Sequence, residues 1–69
     1  MTMTERMQRL TALRQERASK WDTARTFLDS KTHNGRMSEA DAAAYETMEK
    51  ELTDLGNDIA RLERANELE

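Results

Sequence analysis

Tyr45, Met48, Leu52, Leu55, Ile59 and Leu62, followed by Asn66, recur at intervals of 3, 4, 3, 4, 3 and 4 residues. This rhythm keeps one side of an α-helix against a neighbouring helix for just over three heptads. A strand cannot use it, because strand side chains change face at every residue. No proline interrupts the pattern. Ala, Leu, Met, Glu, Arg, Lys and Gln dominate the chain and Val is missing, so an all-α fold is expected. Gly56, one place after Leu55, costs about 1 kcal/mol relative to Ala inside a helix. A glycine there suits the close approach of a partner backbone.

The helical pattern breaks once, at Ser30-Lys31-Thr32-His33-Asn34-Gly35-Arg36, where the Asn-Gly pair tolerates positive φ. Directly after it, Ser38 is placed to cap a second helix and Asp41 to sit at the third helical position, as in an acidic variant of the capping box. Glu39 and Asp41 also suit the positive end of a helix dipole. The reading is one helix over about 4–30, a loop over 31–38 and a second helix over about 39–67. The first helix has a looser seam of Met3, Met7 and Leu10, then Trp21, Ala24 and Leu28, with Leu13 and Ala18 flanking Arg14 and Arg17. At 1.5 Å per residue each helix would be ~40–45 Å long. A short loop folds them into a two-helix antiparallel coiled-coil hairpin, which could oligomerise into a bundle.

Folding about Asn34-Gly35 pairs positions whose numbers sum to about 69. Trp21 then falls near Met48, Ala24 near Tyr45, Leu10 near Ile59 and Met7 near Leu62. The same rule sets Arg14 near Asp54 and Asp58, Arg17 near Glu51 and Arg6 near Glu63. Charge supports the arrangement, since residues 1–36 carry a net +4 and residues 37–69 a net −7. Exposed ion pairs contribute only ~0–1 kcal/mol each, so they select the pairing more than they stabilise it.

Composition limits the chemistry. Sixty-nine residues make at most one small core, and nine of the 25 apolar residues are alanines, too little bulk to enclose a cofactor or a deep pocket. There is no Cys and one His, so a thiol nucleophile, a disulfide framework and a zinc site within one chain lack their parts. No apolar run approaches the ~20 residues of a membrane span, and no signal peptide is evident. A cytoplasmic site of synthesis is expected, with no cofactor, no metal and no membrane partner.

The same inventory bounds what single residues can do. His33 has no second candidate ligand or base at useful spacing and reads as a loop residue. Glu46 and Glu49, or Asp54 and Asp58, have the spacing of bundle metal sites but lack the Glu-x-x-His companion, so they read as a solvated face. The bases of helix 1 are interleaved with acids and lie beside an acidic helix, which argues against nucleic acid as a partner. Trp21 and Tyr45 read as intrachain core. Asn66 could fix register from a seam position, or fray with the C-terminus. Leu13, Phe27 and Leu68 are the apolar side chains left over for a second interface.

The string Leu10-Thr11-Ala12-Leu13-Arg14-Gln15-Glu16-Arg17-Ala18-Ser19-Lys20-Trp21, continued by Ala24-Arg25 and Phe27-Leu28-Asp29, resembles the opening of tailed-phage and prophage major capsid proteins of the Hong Kong type fold. So does the second half, with Met37-Ser38-Glu39-Ala40-Asp41, Tyr45-Glu46-Thr47-Met48-Glu49, Leu52, Leu55-Gly56, Ile59 and Arg61-Leu62-Glu63-Arg64. The likeness runs from about Met7 to Arg64 and contains no catalytic motif. It implies a delta domain, the built-in scaffold that precedes the shell domain, lies inside the procapsid and is commonly removed by a phage maturation protease. It further implies that the Tyr45, Met48, Leu52, Leu55, Ile59 and Leu62 seam serves packing and homo-oligomerisation with Trp21, Phe27 and Leu28 as its complement, and Met7 and Leu10 read as part of the same seam. The host cytoplasm and the procapsid interior would be its locations. The shell domain is absent from these residues, so the resemblance implies a segment of a longer chain.

Two functions therefore stand as expectations. One is an assembly module that binds further copies of itself, and the other is a free-standing coiled-coil adaptor for a different protein. An enzyme is not expected, because no nucleophile and base can be paired from this inventory.

Overall fold

The computed structural model describes residues 1–69 and consists of two helices, α1 (Met3–Lys31) and α2 (Glu39–Leu68), with no strands. They pack side by side in opposite directions into a hairpin 49 Å long and 15 Å wide. The all-α helical hairpin is the fold that the heptad rhythm and the single break require.

Helix α1 begins at Met3 because Thr2 caps it. The Thr2 hydroxyl accepts from the Glu5 amide at 3.1 Å, and Glu5 Oε1 accepts in return from the Thr2 amide at 3.3 Å. This reciprocal pair satisfies two amides that the helix start would leave open. Its signature, Thr2-x-x-Glu5, is in the sequence, and it starts the helix one residue before the expected Thr4. At the other end the Thr32 amide and hydroxyl both donate to the Leu28 carbonyl.

Between the helices, His33 and Arg36 exchange both backbone hydrogen bonds, 2.7 and 3.0 Å long, around Asn34 and Gly35. Asn34 has φ 54° and Gly35 φ 75°. Two successive positive φ values define the tight turn for which Asn-Gly is the preferred pair. Ser38 then caps α2, its hydroxyl accepting from the Asp41 amide at 3.1 Å. The Asp41 carboxylate makes no return bond to the cap residue, so half of the expected capping box forms. Aspartate is one methylene shorter than the glutamate that completes the box at Thr2.

The interior is thin. Leu10 and Ala24 of α1 and Leu52 of α2 are the buried apolar residues, and Arg6 is buried with them. Tyr45, Met48, Leu55, Ile59, Leu62 and Asn66 are half-buried, so the α2 seam faces α1 along its length.

Candidate interaction surface

The α1 side of the seam differs from the apolar reading. The residues that face α2 follow Arg6, Leu10, Leu13, Arg17, Lys20, Ala24 and Phe27, again at alternating intervals of four and three. Arg6, Leu10 and Ala24 are buried, Leu13, Lys20 and Phe27 are half-buried, and Arg17 is exposed but reaches across to the α2 backbone. Three cations thus stand in a seam that a search for apolar side chains passes over. Long basic side chains can do this because their methylene stems pack while the charged head reaches a partner.

Each head has one. The Arg6 Nε donates to Asn66 Oδ1 at 2.6 Å, one of its terminal nitrogens donates to the Met1 carbonyl at 3.1 Å, and its guanidinium pairs with the Glu69 carboxylate. The last turn of α2 contains no basic residue of its own, and Arg6 brings a cation to that negative helix end from across the hairpin. Asn66 also donates to the Met7 sulfur at 3.3 Å. Asn66 is therefore bonded to α1 rather than frayed.

Arg17 crosses α2 at Gly56, and its Nε donates to the Leu52 carbonyl at 3.2 Å. A Cβ on Gly56 would lie 3.5 Å from that nitrogen. What approaches Gly56 is a side chain, not the backbone that its position suggested. Lys20 Nζ lies 3.0 Å from Glu51 Oε2. That hydrogen bond and the carboxylate charge raise the lysine pKa above its ordinary value of 10.5.

These positions revise several expectations. Arg14 bonds Glu63 at 3.0 Å rather than Asp54 or Asp58. Arg17 goes to a backbone carbonyl, its place beside Glu51 is taken by Lys20, and Arg6 meets Asn66 and Glu69 rather than Glu63. Lys20 and Arg6 reach carboxylates from the seam itself, Arg14 reaches Glu63 from its flank, and Arg17 alone is turned onto the backbone of α2 beside Gly56.

Met7 and Trp21, expected inside, are 49% and 45% exposed. They stand at one heptad position with Arg14 and half-buried Leu28, one place outside the line of contact. Trp21 borders an open groove with Arg17, Tyr45, Glu49, Leu52 and Thr53. Met48, its expected partner, lies on the opposite side with Lys20, Thr23 and Glu51. Leu13 and Phe27, expected as spare apolar surface, occupy the seam and are half-buried; Leu68 is 83% exposed.

All concavities on the hairpin are open grooves. There is no group of three His, Cys, Asp or Glu side chains that could hold a metal ion, and no helix long and apolar enough to cross a membrane. What the arrangement offers is a long side face carrying Met3, Met7, Trp21 and Tyr45, suited to another surface. No family model, characterised protein or solved structure matches the chain.

Proposed function

We propose that this chain is a self-associating assembly module, the built-in scaffolding segment of a tailed-phage major capsid protein. One observation carries the reading: the hairpin buries only four of its 69 residues and leaves Met3, Met7 and Trp21 about half exposed. A chain organised in this way has its apolar side chains available to neighbours rather than gathered around a ligand. The ordered residues from Leu10 to Trp21 and from Met37 to Arg64 add the capsid resemblance.

The mechanism is one of effective concentration. Contacts that hold two free hairpins together only weakly become strong when many copies are tethered to one growing shell. Removal of the segment by a maturation protease would then end those contacts once assembly is complete.

The test begins with the coding frame beyond Glu69, which is expected to continue into a long β-rich segment. The parent protein lacking residues 1–64 should fold yet give few or aberrant particles in electron micrographs. Normal-sized procapsids from that truncated parent, made without added scaffold, would overturn the assembly role. A stop codon directly after Glu69 would replace it with the adaptor.

A further inference from the structure

The seam uses one side of α1, and the next heptad position outward carries Met7, Arg14, Trp21 and Leu28 along a single edge. Met3 is 50% exposed near one end of that edge. Near its middle Trp21 stands at the groove beside Tyr45 and Leu52. An indole half in water is expensive surface for a hairpin with three buried apolar residues. Domains of this size rarely stand on one such seam and usually gain a partner or a staple.

We infer that a second copy of this chain covers the Trp21 face, with a two-fold axis running along the length of the hairpin. The inference rests on the self-association proposed above and adds its surface and its symmetry. Size permits it: a face 49 Å long and 15 Å wide has a footprint on the order of 700 Å², close to the ~800 Å² per partner of a standard interface.

Charge chooses the axis. Two hairpins can lie face to face in two symmetric ways. An axis across the hairpin lays α1 on α1 and α2 on α2, so the acidic half, net −7, meets its own copy. An axis along the hairpin instead lays each α1 against the α2 of the other copy. Every basic helix then has an acidic helix on two sides, in a four-helix square of alternating charge, and like-charge contact is avoided. This arrangement sets the two Trp21 indoles at the same height and puts both Asn34-Gly35 turns at one end.

The isolated 69-residue chain tests it without any capsid, so a failure here leaves the capsid reading open to its own experiment. Sedimentation should show a monomer–dimer equilibrium, and Tm should rise over a hundredfold range of concentration. Trp21→Glu should weaken dimerisation by roughly thirtyfold or more, as for a central aromatic anchor. Thr23→Gln, on the opposite side, should leave it unchanged. If Trp21→Glu fails to fold, the parent's own Trp21 emission still decides, because it should shift to the blue and resist quenching as concentration rises. Spin labels at Arg36→Cys should lie close together in the dimer. A monomer with a concentration-independent Tm, a Trp21→Glu dimer as tight as the parent, unshifted emission on dimerisation, or labels separated by the length of the hairpin would each overturn the inference.

Discussion

Arg6 is the residue on which the open end of the hairpin turns. It is 9% exposed, bonds Asn66 and Met1, and pairs with Glu69. Bonds to a charged donor contribute more than neutral ones, and truncation leaves the Asn66 oxygen without its partner. Arg6→Ala should therefore cost about 1–3 kcal/mol in urea unfolding, within the range for charge-assisted bonds. A loss below a few tenths would mean that the terminal turns fray independently of Arg6. Gly56 makes the opposite case. A methyl group there would meet Arg17 at ordinary contact distance, 3.5 Å. Gly56→Ala should therefore gain most of the ~1 kcal/mol that alanine holds over glycine in a helix interior. Lower stability would show that the Arg17 bond to Leu52 is more confined than the contact distance implies.

At the scale of the element, α2 was legible in the sequence and α1 was only half legible. The α2 seam is built from large apolar residues, so counting apolar spacing finds it. In α1 the seam passes through Arg6, Arg17 and Lys20, and the same count shifts outward to Met7 and Trp21, which flank the true line. The continuing intervals of four and three from Arg6 to Phe27 were the available signal, visible only when basic side chains are admitted as seam residues. The turn and the Ser38 cap were legible because their chemistry is local. Ser38→Ala should cost ~1 kcal/mol, as for a typical cap, with helix content falling first at the start of α2 by amide exchange. Lys20 adds a small stabilisation that alkaline pH removes. Its folded pKa is raised, so its contribution is full below 10.5 and is lost as pH rises through the folded value. The stability difference between the parent and Lys20→Gln should shrink above pH 10.5, and a difference constant through that range would separate Lys20 from Glu51 in solution.

For the whole molecule, the question is whether the seam or the charge holds the two helices together. Arg14–Glu63 and Lys20–Glu51 span the hairpin at 3.0 Å, and all four side chains are about half exposed. Exposed pairs of this kind contribute little and weaken as salt shortens the range of the field. Burial of Leu10, Ala24 and Leu52 does not depend on salt in that way. The antiparallel arrangement should therefore survive high ionic strength, with only a modest fall in Tm. Distance between labels at Gln15 and Asn57, both exposed, reads the arrangement directly. These positions lie on opposing stretches of the hairpin, and a single continuous helix would hold them ~60 Å apart at 1.5 Å per residue. A short distance that persists from low to molar salt assigns the fold to the seam and its turn. A distance that opens as salt rises would show that the +4 and −7 halves, and not the buried leucines, close the hairpin.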